Sequence, residues 1–203
     1  MEMTGEERIP ATQAETWAAL NDPEMLKACV PGCESIDPAG ENEFQVLMVA
    51  RVGPVSAKFK GKLALSDIRP PESYALAFEG QGGAAGFGKG SARVQLAPEG
   101  EATLLRYQVS ASVGGKLAQI GSRLVDAAAK KLAGDFFAAF NAKVAEQHAG
   151  EPAHAGAPGH AEAHAPTPVP REPGLPTVSN ASLIFLAAGI LVVVLVALVV
   201  LLG

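Results

Sequence analysis

All 20 positions from Leu183 to Leu202 are apolar or glycine, and 16 of them are Leu, Ile, Val or Phe. A run of this length needs more surrounding core than the rest of the chain can supply. It therefore reads as one membrane-spanning helix, long enough for a hydrocarbon layer of about 30 Å. At about -0.4 kcal/mol for each of its large apolar residues, insertion is favoured by about 6 kcal/mol. Only Gly203 follows the run, and the opening MEMTGEERIPATQAETWAAL is too acidic and too interrupted for a signal peptide. The expected arrangement is a transmembrane tail anchor over 183–203 at the cytoplasmic membrane, with the rest of the chain in the cytoplasm.

Seven of the 15 prolines and all four histidines lie between Gln147 and Ser182. That stretch has hardly any large apolar side chain, so burial cannot offset its ordering entropy, and 147–182 reads as a disordered linker. As a flexible coil it would span about 33 Å. Residues 1–146 remain, the size of one ordinary domain. Of the chain's 16 Lys and Arg only Arg171 lies beyond this domain, and of the 21 Asp and Glu only Glu151, Glu162 and Glu172, leaving 15 cations against 18 anions. With no excess of cations to release phosphate counterions, no nucleic-acid partner is expected. The domain contains no histidine, which excludes a Ser-His-Asp triad, a Cys-His pair, a haem histidine and a histidine-ligated zinc. Cys29 and Cys33 alone do not complete a metal site. Neither a metal, a tightly held cofactor nor a catalytic residue is predicted, and the chain is not expected to be an enzyme.

Within the domain, Glu2 to Ile9 reads as a strand. Thr12, with Glu15 three residues on, forms a capping box that opens the helix TQAETWAAL. Asp22-Pro23 starts a second short helix, which Pro31-Gly32 terminates. Runs of period two follow. Phe44, Val46, Met48, Ala50 and Val52 share one side, then Val55, Ala57, Phe59, Leu63 and Leu65 face in against Lys58, Lys60 and Lys62 facing out. Tyr74, Leu76 and Phe78, then Ala92, Val94 and Leu96, then Leu105, Tyr107, Val109 and Ala111 continue the pattern. Such alternation predicts a meandering antiparallel sheet with one buried face. After Gly114-Gly115 the period changes, with Leu117, Ile120, Leu124, Ala128, Leu132, Phe136 and Phe140 at helical spacing, to about Glu146. The expected order is a strand, two short helices, about six further strands and one long helix. This is an α+β domain in which a curved sheet grips the helix and tends to enclose a cavity. Met48, Phe59, Leu76, Phe78, Phe87, Tyr107, Leu117, Ile120 and Leu124 are the residues expected to line it.

Three features invite sharper readings. Cys29-Val30-Pro31-Gly32-Cys33 either sets the turn between second helix and sheet or forms a redox switch. Gly80, Gly82, Gly83, Gly86, Gly88 and Gly90 suggest a phosphate loop, but ARVQL resumes as a strand where a phosphate site would need a helix. A flexible hairpin with Phe87 at its tip, gating ligand entry, fits better. Lys58, Lys60 and Lys62, with Arg51, Arg93 and Arg106, make a basic face. It is either solvated, or docks an acidic enzyme or anionic lipid headgroups.

KACVPGCESI from Lys27, GQGGAAGFGKGSARVQL from Gly80, YQVSASVGGKLAQIGSRLV from Tyr107 and AAKKLAGDFFAAF from Ala128 together resemble the carbon monoxide dehydrogenase G-subunit family. This family belongs to the START-like, polyketide-cyclase-like superfamily, and the likeness covers about residues 1–146. The resemblance implies the helix-grip fold. It also implies an accessory protein that recruits an aerobic molybdenum-containing carbon monoxide dehydrogenase or related hydroxylase to membrane lipid and carries a respiratory quinone or other lipophilic ligand. A recruitment adaptor without ligand is the second reading. A cyclase- or hydrolase-like enzyme, using Tyr107, Glu79 and Asp67, is the third.

Overall fold

The structure, a computed structural model, describes residues 1–52 and 55–150. The expected span at 183–203, and the expected linker beyond Gly150, lie outside the described residues, as do the side chains of Ala50, Val52 and Val55. No helix among the described residues is long and apolar enough to cross a membrane.

The chain opens with β1 (Glu2–Ile9), α1 (Gln13–Leu20) and α2 (Pro23–Cys29). The capping box forms as expected: the Thr12 hydroxyl accepts from the Glu15 amide, and the Glu15 carboxylate accepts from the Thr12 amide. Asp22 caps α2, with Pro23 at its first turn. Six strands follow: β2 (Cys33–Gly40), β3 (Glu43–Val52), β4 (Val55–Arg69), β5 (Ser73–Gln81), β6 (Phe87–Glu99) and β7 (Ala102–Gly114). All neighbours are antiparallel, and the order across the curved seven-stranded sheet is β1-β7-β6-β5-β4-β3-β2. Strand β2 has no readable alternation, because only Ile36 along it is buried. It is an edge strand, and Pro38 with Glu34 and Asp37 suits it to that position.

The long helix differs from its prediction in three ways. It is interrupted: α3 (Lys116–Gln119) stops, Gly121 turns the chain at φ +92°, and α4 runs from Ser122 to Gly150. That left-handed angle suits glycine and ends a helix. The interruption also shifts the phase, so α4 buries Val125, Ala129, Ala133, Phe136, Phe137, Phe140 and Val144, while Leu124 is exposed. Finally, α4 continues four residues past Glu146, into the stretch read as linker. Lying nearest to α2, β1 and β3, α4 spans the open side of the curved sheet. The core between them is one continuous apolar cluster.

Candidate functional site

The inner face of the sheet changes character along its length. Toward the β4–β5 and β6–β7 turns it presents Leu65, Tyr74, Leu96 and Leu105, all buried. Toward the other end three adjacent central strands bring glycines side by side: Gly61 pairs with Gly80, and Gly80 with Gly88. All three are buried, and Val46 and Val113 complete the row. In the next row Gly90 lies between Phe78 and Ala111. Strict alternation puts these glycines inward, since they continue the series Leu63, Phe78 and Ala92. Helix α4 repeats the gradient, with Val125, Ala129 and Ala133 in its first half and Phe136, Phe137 and Phe140 in its second. One half of the interior is thus aromatic on its helix side, and in the other half the glycine row runs between Phe78 and the paired Phe59 and Met48. A glycine inside a strand lets another group approach the backbone closely. The row of three is a strip of backbone flanked by the buried Phe59 and Phe78, whose rings lie over Gly82 and Gly90.

This end, named the mouth end for the cavity expected there, is bounded by the 3-10 turn Gly83–Ala85, the start of β6, the end of β7 and α3. The glycine cluster is therefore not a hairpin loop with Phe87 at its tip. Gly80, Gly88 and Gly90 sit in β5 and β6, and Phe87 is the first residue of β6. Of the nine residues expected to line a cavity, Met48, Phe59, Leu76, Phe78 and Leu117 are buried, while Tyr107 and Ile120 pack at the margin of the same cluster. Phe87 and Leu124 stand outside it, exposed by 49% and 54%. The glycine row escaped the linear reading, although Gly61, Gly80, Gly88 and Gly90 each fall on an inward position of the alternation in β4, β5 and β6.

Polar groups within the core are few. The Tyr74 hydroxyl is buried and has no hydrogen-bond partner among the described residues, and burial pushes its pKa far up, so it is a neutral donor. Trp17 meets its ring edge-on at 5.9 Å. Tyr107 stacks on Phe137 at 5.6 Å, and its pKa is raised by burial and then by Glu7. The groups open to cyclase-like catalysis do not converge: Tyr107 faces the core, whereas Glu79 and Asp67 are exposed. Tyr74→Phe removes a hydroxyl that bonds nothing, so stability should hold or rise by up to about 1 kcal/mol. Urea denaturation measures this, and a loss beyond about 1 kcal/mol would show that the hydroxyl is bonded in solution.

The family model of the carbon monoxide dehydrogenase G subunit (CoxG) matches residues 5–145. The chain belongs to this family. No curated protein matches it. A conserved protein from Geobacillus kaustophilus is 34% identical, with a TM-score of 0.69, over 72% of this chain and 97% of that one. A START superfamily protein from Mycobacterium smegmatis (13% identity, TM-score 0.56, 72% and 98% of the two chains) and the Zhui aromatase/cyclase from Streptomyces sp. R1128 (11%, 0.54, 74% and 98%) share the fold. These solved chains consist almost wholly of the matched domain, which in those proteins folds by itself.

Outside the core, this CoxG head carries Lys58, Lys60 and Lys62 exposed on β4, as alternation requires. Lys58 meets Glu34 at 2.7 Å and Lys62 meets Glu79 at 3.9 Å, so the basic face is partly neutralised. Beside it an open groove of about 790 Å³ crosses the outer face of the sheet, over Ala64, Ala77, Ser91 and Ser110. Lys62, Glu79 and Lys89 alternate in sign along it. With no apolar enclosure it lacks what a lipophilic ligand needs. The cysteines are poor redox groups, since burial pushes both thiols up to about 11 despite Lys143 beside Cys29 and Lys27 beside Cys33. At neutral pH almost no thiolate is present to attack a disulfide. The turn between them has a packing role: Gly32 adopts φ +77°, a Cβ there would lie 2.1 Å from the Val49 carbonyl oxygen, and its own carbonyl accepts from the Val49 amide at 2.8 Å.

Proposed function

We propose that this CoxG-family protein takes a lipophilic molecule such as a respiratory quinone between its sheet and α4, binding it without transforming it. Its C-terminal apolar run keeps the head at the cytoplasmic membrane, where it serves a carbon monoxide dehydrogenase or related molybdenum-containing hydroxylase. The observation that carries this reading is the buried row Gly61, Gly80 and Gly88 facing an interior with hardly a polar atom. A ring can lie flat against such a backbone surface, and a prenyl chain suits the apolar side chains around it. Tyr74 lies six residues from Gly80, about 20 Å along β5. A quinone ring on the row would therefore keep its carbonyls out of hydrogen-bond reach of the Tyr74 hydroxyl.

The basic face supplies the enzyme-docking part of the reading. Lys58→Glu, Lys60→Glu and Lys62→Glu together change the local charge by six units at exposed positions, where stability effects stay within about 0.5 kcal/mol. Association with an acidic redox enzyme should slow by about tenfold or more at low salt and converge with the parent as salt screens the field within about 10 Å. Binding kinetics across a salt series measure this. Equal rates at low salt would make the three lysines ordinary solvated side chains.

A further inference from the structure

Among the described residues three large apolar side chains are exposed, Val49, Phe87 and Leu124, and all three lie at the mouth end. Val49 is on β3 just before the β3–β4 hairpin, Phe87 opens β6 opposite Gly114 of β7, and Leu124 lies in the first turn of α4. Cations accompany them: Arg51 beside Val49, Lys89 beside Phe87, Lys116 on α3 and Arg123 next to Leu124, with Asp126 and Glu2 as the acids at the same end. None of these four forms an ion pair with a described residue, which is equally true of Lys27, Lys60, Arg69, Arg93, Lys130 and Lys143, so it is their grouping around Phe87 and Leu124 that sets them apart. The opposite end is acidic. Its turns carry Glu41, Asp67, Glu72, Glu99 and Glu101, with Arg69 and the Glu99-paired Arg8 as counter-charges, and no large exposed apolar side chain is described there.

We infer that the mouth end docks on an anionic lipid surface, with Phe87 and Leu124 seated below the headgroups and Arg51, Lys89, Lys116 and Arg123 among the phosphates. Separated apolar side chains ringed by unpaired cations fit an interface that is apolar below and anionic above. A protein partner would have to supply a separate apolar pocket for each of Phe87 and Leu124 as well as acidic groups for the cations, whereas a lipid layer offers both everywhere along its surface. The inference rests on the carrier reading in one respect, since it places the glycine-row end of the interior where a lipophilic ligand would be collected. The chain permits this orientation. Helix α4 carries the backbone about 43 Å from the mouth, at 1.5 Å per residue. The 32 residues from 151 to 182 can reach about 105 Å when extended, enough to return along it.

The test uses the full chain in vesicles holding phosphatidylglycerol and lipids brominated on the acyl chain, which quench tryptophan at that depth. Trp17 is the only tryptophan and is buried, so Phe87→Trp adds a reporter at the mouth and Glu101→Trp a control at the far end. Phe87→Trp should be quenched at least twofold more strongly than Glu101→Trp, and the difference should fall in zwitterionic vesicles or in Lys116→Glu/Arg123→Glu. Equal quenching at the two positions overturns the proposal, as does quenching at position 87 indifferent to lipid charge. The head, residues 1–150, is assayed separately for co-purifying lipid. Loss of docking with lipid still bound would reject this orientation alone, while lipid-free protein that still docks would reject only the carrier reading.

Discussion

Phe136→Ala will cost the head about 3–5 kcal/mol, a large share of the 5–15 kcal/mol that holds an ordinary domain together. Phe136 is fully buried on α4, edge-on to Phe137 at 5.1 Å and stacked with Phe140 at 5.5 Å. Truncation therefore loses both transfer energy and aromatic contacts in a region with no loose segment to collapse inward. The control is Leu124→Ala, three turns earlier on the same helix but more than half exposed, where the change should stay within about 0.5 kcal/mol. Urea unfolding of residues 1–150 checks both. Comparable losses at the two positions would put Leu124 inside the core and return α4 to its uninterrupted phase.

Gly80→Leu will abolish loading of a lipophilic ligand. Gly80 sits at the centre of the buried row, between Gly61 and Gly88, in ordinary strand backbone that accepts any side chain. A leucine there projects into the space that a ring would occupy. Overpacking should cost about 1–3 kcal/mol, so the fold survives while affinity falls by about tenfold for each 1.4 kcal/mol of lost contact. Gly80→Ala should give a smaller loss of the same sign. Ligand content per folded head is the measure, and undiminished loading in Gly80→Leu would move the ligand away from the row.

The contrast between Leu124 and Phe136 also shows how far a linear pattern carries. Both belong to one series at helical spacing, and that series assumes an unbroken helix. Gly121 breaks it, and the segment beyond restarts one residue out of phase, so Val125 and Ala129 go inward where Leu124 and Ala128 were expected. The strands were legible because a one-residue error would flip an entire side. Thus Phe59, Leu63 and Leu65, and Tyr74, Leu76 and Phe78, are buried as read. Strand β2 was not legible, since an edge strand with Ile36 as its one buried residue has no alternation to detect. The glycine row was hidden for a related reason: glycine signals a turn when only its neighbours in sequence are considered. That Gly61 lies beside Gly80 depends on the register of β4 and β5, which no single strand reveals.

The central claim is that the head holds a lipophilic molecule between its sheet and α4. Its most direct test is mass spectrometry of an organic extract from residues 1–150, purified in folded form from a host that makes respiratory quinones. The account predicts one prenylated quinone or similar lipid per head, lost in Gly80→Leu. A folded head whose extract contains no lipid above background would contradict it.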